Sequence, residues 1–258
     1  MGGTFGFVIG GPLGAAFGAA VGHTFDKGLS GSHHATNQTE QIQAAFFTAT
    51  FSVLGSMAKI DGRVSESEIR LAKTVMEDMQ LDESQRRVAK SLFDEGKRSD
   101  FDLGAAVLQL KQCCGRRKNL LRLFLEIQIS AAWADGSYHP KELGLLEKIG
   151  QLLGFSPAEV ENLISMAKAK SQRGTTGHEN EISLDQAYII LGISKTTSDK
   201  GLKTAYRRLI SQHHPDKLVS KGLPEEMMKV ATERTHEIRR AYEIITDTRK
   251  SKRSEHSG

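Results

Sequence analysis

A long uncharged run opens the chain and restricts its folds more than any other stretch. No Asp, Glu, Lys or Arg occurs from Gly2 to Phe25, and Asp26 and Lys27 are the first charged side chains. A helix over this run would be about 36 Å long, which is comparable with the hydrocarbon thickness of a bilayer. No basic region precedes the run, so a secretory signal peptide is disfavoured. We therefore predict a transmembrane anchor over residues 1–27.

Glycine returns at every fourth position within this run, forming a stripe at Gly6, Gly10, Gly14, Gly18 and Gly22. In a helix in water each glycine would cost about 1 kcal/mol relative to alanine. In a bilayer, a glycine stripe allows two helices to approach closely. We predict that the stripe makes the chain a homodimer. The alternative is a weakly hydrophobic anchor whose glycines have no packing role, kinked at Pro12.

The rest of the chain has the composition of a soluble helical protein. Of its 258 residues 26% are charged, and the net charge of +4 is too small to indicate nucleic-acid binding. The only cysteines, Cys113 and Cys114, are adjacent, which disfavours a disulfide framework or a zinc site and fits a reducing compartment. We predict an all-α fold without a cofactor.

Composition and periodicity divide the chain into consecutive segments. A polar linker spans residues 28–40, a helical domain spans 41–170, and a second linker spans 171–181. Within the helical domain, the segment NLLRLFLEIQISAAWA is apolar almost all round, which predicts a buried central helix. A compact, basic helical module follows over 182–250, and residues 251–258 form a basic tail that we expect to be disordered.

The helical domain contains one internal repeat. AKIDGRVSESEI at 58–69 aligns with AWADGSYHPKEL at 132–143, and each copy predicts a helix, an Asp-Gly turn and a new helix. The shared carboxylates are Asp61, Glu68, Asp135 and Glu142. Capping of the second helix in each copy explains them best, with Ser65 and Glu68 as a capping box and Pro140 in a first helical turn. A divalent-cation site is the alternative, although the positions before each Asp lack the oxygen ligands of an EF-hand.

The basic module predicts three helices, at Leu184–Leu191, Lys200–His213 and Glu225–Asp247. Lys203, Arg207 and Arg208 share the exposed face of the second helix. Pro215 cannot continue that helix, so it should stop at His213 and be followed by an exposed His-Pro-Asp turn.

This turn and its flanking helix indicate a docking surface. No Ser or Cys lies near His214 to be activated as a nucleophile, and the chain has no Walker-type glycine loop. Acidic residues in the third helix and the absence of interleaved aromatics disfavour nucleic acid. A basic helix ending in a rigid loop is suited to an acidic patch on another protein.

The same residues resemble a J domain, the DnaK-activating module of the DnaJ family. The resemblance rests on Tyr206-Arg207-Arg208-Leu209, His214-Pro215-Asp216-Lys217 and Ala241-Tyr242-Glu243-Ile244. It implies that His214, Pro215 and Asp216 trigger ATP hydrolysis by DnaK, and that the contacts come from Lys203, Arg207, Arg208 and Lys217. Tyr206 and Leu209 are expected in the core. The zinc-binding repeats and the Gly/Phe-rich linker of full DnaJ are absent.

The repeat in turn resembles the TerB (tellurite-resistance) domain, a family associated with suspected metal interaction. An anchor, a TerB-like domain and a terminal J domain together resemble the membrane-anchored DnaJ-like co-chaperones of bacteria. This resemblance implies a non-enzymatic co-chaperone in the inner membrane, with its N-terminus periplasmic and its bulk cytoplasmic, where DnaK resides. The rival interpretation is a metal- or ligand-sensing membrane adaptor that acts through the TerB-like repeat.

Overall fold

The structure is a computed structural model that describes residues 11, 13–16, 35–59, 73, 75–77, 79, 81–133, 140–171 and 182–255. Regular structure in those ranges is helical throughout, which confirms the all-α prediction. The helices are α1 (Ala35–Ala58), α2 (Glu83–Gly96), α3 (Leu103–Cys114), α4 (Lys118–Ala132), α5 (Pro140–Leu153), α6 (Pro157–Ser171), α7 (Leu184–Leu191), α8 (Asp199–His213), α9 (Pro215–Val219) and α10 (Met228–Glu255). A 3-10 turn at Glu225–Met227 precedes α10.

Helices α1 to α6 form a central bundle around α4, as the apolar sequence of α4 predicted. Helix α4 contacts α1, α5 and α6, and most of its side chains are buried. The Phe124 ring meets the Phe46 ring of α1 edge to face, with centroids 6.0 Å apart. The buried amide of Gln128 donates from Nε2 to the Thr50 carbonyl oxygen of α1 at 3.2 Å. The packing of α4 against α1 is therefore fixed by an aromatic contact and by a buried hydrogen bond.

Helices α7 to α10 form the C-terminal module. Helix α7 ends at Gly192, whose φ of 61° closes it in the left-handed conformation. Its apolar side chains pack with those of α8 and α10 around a core that includes Ala187, Leu209 and Ile245. The predicted helix over Lys200–His213 is observed as α8, with its C-terminal end at His213 as expected.

Several predicted boundaries differ from the structure. Helix α1 begins at Ala35, so residues 35–40 of the predicted linker are helical. Helix α10 continues to Glu255, where we expected a disordered tail from Ser251. No Gly or Pro interrupts residues 248–255, and Arg249 ties this end of α10 to α7 and α8, so the helix continues. Pro140 begins α5 and Glu142 lies in its first turn, as the repeat predicted.

Most of the predicted anchor lies outside the described residues. Residues 13–16 form a helical turn against α3, where the Leu13 backbone N–H donates to Gln109 Oε1 at 2.9 Å. The Leu13 and Ala16 side chains are buried with the apolar core of the bundle. In the described part of the chain, no helix has both the length and the apolar character that a bilayer crossing requires.

Candidate partner-binding site

Helix α8 separates an apolar face from a charged one. Ser198 caps its N-terminus by accepting from the Gly201 N–H at 3.2 Å, and Asp199 follows in the first turn, where a negative charge is favoured. Leu202, Ala205 and Leu209 are buried against the module. Lys203, Arg207 and Arg208 are all exposed, and we call these three residues the basic face. The predicted charge contacts thus lie together on the solvent side of one helix.

The backbone changes direction at His214, directly after α8. His214 has φ −60° and ψ 122°, the extended conformation that a following proline imposes. Pro215 is the first residue of α9, a position that needs no N–H donor. The Leu218 N–H donates to the His214 carbonyl oxygen at 3.1 Å, which closes the first turn of α9. The HPD tripeptide, His214–Pro215–Asp216, is therefore a rigid corner between two helices.

The side chains of His214 and Asp216 at this corner are exposed and do not hydrogen-bond to each other. The His214 side chain is 43% exposed and that of Asp216 is 86% exposed. Their closest atoms, Nδ1 and Oδ2, are 3.9 Å apart, which is too far for a hydrogen bond. Lys217 donates from Nζ to Ser211 Oγ at 2.9 Å, so its charge lies back along α8. The tripeptide and the basic face form one continuous exposed surface.

Two residues that the J-domain resemblance places in the core support this surface from behind. Leu209 is buried in the module core. Tyr206 is half-buried and stacks on Tyr242 of α10, with ring centroids 4.3 Å apart. This stack holds α8 against α10 and thereby orients the basic face outward.

Sequence reasoning missed Arg249, which we had assigned to the end of the module. Its Nη1 lies 2.7 Å from Asp199 Oδ1, at the first residue of α8. The guanidinium also lies over the Tyr188 ring of α7, with Cζ 5.7 Å from the centroid. One arginine therefore joins three helices of the module.

Sequence reasoning also missed a buried charged cluster beside the HPD tripeptide, formed by His213, Glu126, Arg122, Arg234 and Glu237. Glu126 of α4 lies at its centre: Oε1 is 3.7 Å from His213 Nε2 and 3.3 Å from Arg122 Nε, and Oε2 is 3.6 Å from Arg234 Nε. Arg234 pairs in addition with Glu237 at 2.8 Å. His213, only 2% exposed, is the last residue of α8. No motif signals this cluster, because its members come from three separate helices.

The electrostatics of the cluster favour a charged Glu126 and a neutral His213. Burial opposes ionisation of Glu126, but His213 in its protonated form, Arg234 and Arg122 hold the pKa of this carboxyl below its usual value. Burial lowers the pKa of His213, and the attraction of Glu126 only partly compensates. Burial works against the charge of Arg234, yet Glu126 and Glu237 raise its pKa.

The structure describes only some residues of the other predicted sites, the possible cation site and the glycine stripe. Asp61, Glu68 and Asp135 of the possible cation site lie outside the described residues, whereas Glu142 is in the first turn of α5. In the described ranges, no three His, Cys, Asp or Glu side chains group as metal ligands. Of the glycine stripe, Gly14 lies within residues 13–16, and Gly6, Gly10, Gly18 and Gly22 are outside the described residues. Both cysteines are free thiols, and burial raises the pKa of Cys114 to about 12.

Comparison with protein families assigns each part of the chain. Residues 47–165 match the tellurite resistance protein TerB family, and residues 186–255 match the DnaJ domain family. Residues 1–32 match the family described as the co-chaperone DjlA transmembrane domain. No solved structure matches the chain.

Curated relatives match the chain over nearly its whole length. The co-chaperone protein DjlA of Legionella pneumophila is 39% identical, over 96% of this chain and 94% of the relative. That of Photobacterium profundum is 39% identical over 95% and 96%, and that of Coxiella burnetii is 42% identical over 95% and 94%. The chain therefore belongs to the DjlA family of co-chaperones.

Proposed function

We propose that this co-chaperone recruits a DnaK-type Hsp70 and stimulates its ATPase through the HPD tripeptide. The observation that carries the proposal is the continuity of one exposed surface. The basic face of α8 leads directly into His214 and Asp216, and Lys217 bonds back to Ser211 of the same helix. All the residues that the J-domain resemblance assigns to DnaK are exposed or partly exposed on this surface.

The charge of the surface specifies the chemistry of the partner. Long basic side chains projecting from a rigid helix attract an acidic protein patch and accelerate encounter with it. The rigid corner at His214 then presents an exposed imidazole and an exposed carboxylate directly after the helix that carries those charges. Recruitment is thus assigned to the basic face, and activation is assigned to the tripeptide. The ATP chemistry remains that of the partner, so the chain is not itself an enzyme.

We further infer that one N-terminal helix anchors the chain in the bacterial inner membrane. The match of residues 1–32 to a transmembrane family supports the anchor, whereas the packing of Leu13 and Ala16 against the bundle counts against it. Because DnaK is cytoplasmic, the bundle and the module should be cytoplasmic and the first residues periplasmic. Protease added to intact spheroplasts should leave the bundle and module undigested until the membrane is permeabilised. Digestion before permeabilisation would reverse the proposed orientation.

The ATPase proposal is tested with the full chain in lipid nanodiscs and purified DnaK. Steady-state ATP turnover by DnaK should rise with added wild-type chain, and His214→Gln should abolish the rise. His236→Gln is the matched control, because His236 is an exposed histidine of α10 that is not part of the tripeptide. The proposal fails if wild-type chain leaves turnover unchanged, or if the two histidine variants behave alike.

A further inference from the structure

The segment after the HPD tripeptide belongs to the core of the central bundle. The module has its own apolar core between α7, α8 and α10. A different set of module residues, Leu218, Leu223, Met227 and Ala231, is fully buried together with the side chains of the bundle. These four span α9, the turn after it and the start of α10. The bundle is therefore the hydrophobic support of this part of the module.

The turn at Gly222 shows how close this contact is. Gly222 has φ 99°, a conformation that favours glycine, and a Cβ there would lie 2.9 Å from Ile42 Cγ2 of α1. The turn is also fixed internally, since the Leu223 N–H donates to the Leu218 carbonyl oxygen at 2.9 Å. The backbone after the tripeptide thus rests directly on α1.

The charged cluster holds the chain on the other side of the tripeptide. His213 directly precedes the tripeptide and faces Glu126 of α4 at 3.7 Å. Thr235 of α10 donates from Oγ1 to the His213 carbonyl oxygen at 3.0 Å. Arg234 of α10 reaches both Glu126 and the Met166 sulfur of α6, the latter at 3.7 Å from Nη2.

The exposed residues of the tripeptide lie between buried residues that contact the bundle. His213 and Leu218 are buried at the bundle, while His214 and Asp216 between them are exposed. The tripeptide therefore lies between two residues, His213 and Leu218, that are both packed against the bundle. Movement of His213 must displace His214, because the two residues are adjacent in sequence. Movement of Leu218 must displace His214 as well, because the Leu218 N–H donates to the His214 carbonyl oxygen.

We propose that the central bundle positions the HPD tripeptide, and that Glu126 is the positioning residue through which α4 acts. This inference rests on the proposed function, since it concerns how the same tripeptide is held. Glu126 is the ionic partner of Arg234 across the boundary between bundle and module, at 3.6 Å, and it also lies 3.7 Å from His213. Without the charge of Glu126, the ionic partner that Arg234 keeps among the described residues is Glu237, which lies on the same helix as Arg234. The ion pair that ties α4 to α10 is then lost, next to the hydrogen bond from Thr235 of α10 to the end of α8.

The test uses the full chain in lipid nanodiscs, with three measurements on each variant. DnaK turnover against chain concentration gives the maximal stimulation and the half-maximal concentration. Amide hydrogen exchange over residues 213–223 reports the attachment of the tripeptide, and thermal melting reports global stability. The variants are Glu126→Gln, the conservative Glu126→Asp, and the control Glu147→Gln, an exposed carboxylate of α5.

Glu126→Gln should increase exchange selectively at residues 213–223 and lower maximal stimulation by about tenfold, the effect of misplacing an activating group. The half-maximal concentration should change by less than about twofold, because the basic face is untouched. Glu126→Asp should recover part of the stimulation, and Glu147→Gln should match the wild type. Unchanged stimulation, or a loss accompanied only by a general fall in melting temperature, would overturn the proposal.

A second variant changes the contact between the turn after α9 and helix α1 without altering charge. Gly222→Ala should displace the turn from Ile42 and reproduce the selective exchange and the lower maximum; wild-type behaviour here would also count against the proposal. If wild-type chain fails to stimulate DnaK, the proposed function is wrong. In that case the hydrogen-exchange data by themselves test the role of Glu126. Faster exchange confined to residues 213–223 in Glu126→Gln supports this role, and unchanged exchange there overturns it.

Discussion

Gly55 of α1 and Gly96 of α2 lie at one helix crossing, where each faces the backbone of the other helix. A Cβ on Gly55 would overlap the Phe93 carbonyl oxygen, and a Cβ on Gly96 would overlap the Ser52 carbonyl oxygen. Backbone cannot move aside as a flexible side chain can. The close approach of α1 and α2 therefore depends on glycine at both positions.

Alanine at either crossing position should destabilise the bundle. We expect Gly55→Ala and Gly96→Ala each to cost about 1–3 kcal/mol, the usual range for overpacking a core. Gly144→Ala in α5 is the control: a Cβ there meets nothing within 4 Å, so alanine should instead stabilise the helix by about 0.5–1 kcal/mol. Urea unfolding followed by circular dichroism measures all three. Equal effects at the three glycines would refute the backbone contact.

Local features of the site could be predicted from sequence, and long-range ones could not. Pro215 alone determines where α8 ends, and helical spacing alone places Lys203 and Arg207 on one face. The contact between His213 and Glu126 joins distant segments of the chain and depends on how α8 packs against α4. Arg249 was misjudged for a related reason: its partner Asp199 lies at the far end of the module sequence. Sequence periodicity predicts which residues share a face of one helix. It does not predict which helices pack together, and both of these pairs depend on that packing.

Removing Arg249 should loosen the module. Arg249→Ala loses the charge pair with Asp199 and the contact with the Tyr188 ring, and we expect a cost of about 1 kcal/mol because Asp199 is half exposed. Lys250→Ala should cost less than about 0.5 kcal/mol, since the partner of Lys250 among the described residues is the exposed Asp247, at 3.5 Å. Chemical denaturation separates the two variants. An Arg249 variant as stable as the Lys250 variant would mean that the cross-helix tie contributes nothing.

The glycine stripe remains a prediction about assembly. Gly14→Leu combined with Gly18→Leu should leave membrane insertion intact and weaken self-association, because leucine prevents close approach of two helices. A bilayer reporter of helix association measures the effect, and membrane fractionation controls for insertion. If association is unaffected, the stripe serves the anchor only and the homodimer prediction is wrong.

Acid should weaken the attachment between bundle and module in two steps. His213 is faced by Glu126 and Arg122 of α4 and by Arg234 and Glu237 of α10, and burial lowers its pKa. The unfolded chain therefore binds this proton more tightly, so stability is lost as pH falls below about 6.5, by up to about 1.4 kcal/mol per pH unit. The pKa of Glu126 is held low against burial by its basic neighbours, so its contribution is lost only below about pH 4.3.

Melting temperature against pH tests the first step. His213→Gln should flatten the fall below about pH 6.5, whereas the exposed His236→Gln should retain it. A stability that rises on acidification would show instead that His213 is protonated beside Glu126 in the folded chain. The sign of the slope therefore distinguishes a neutral histidine from a buried ion pair.

Charge reversal on α8 should separate recruitment from activation. Arg207→Glu combined with Arg208→Glu places two negative charges where an acidic patch docks, and like charges across an interface cost several kcal/mol. The half-maximal concentration for DnaK stimulation should rise by at least about tenfold, while His214 and Asp216 keep their geometry. Arg239→Glu with Arg240→Glu changes two adjacent exposed arginines of α10 and controls for net charge. An equal effect of the two pairs would assign recruitment to the overall charge of the module. A selective effect of the α8 pair, weakening as salt screens the attraction, assigns it to the basic face.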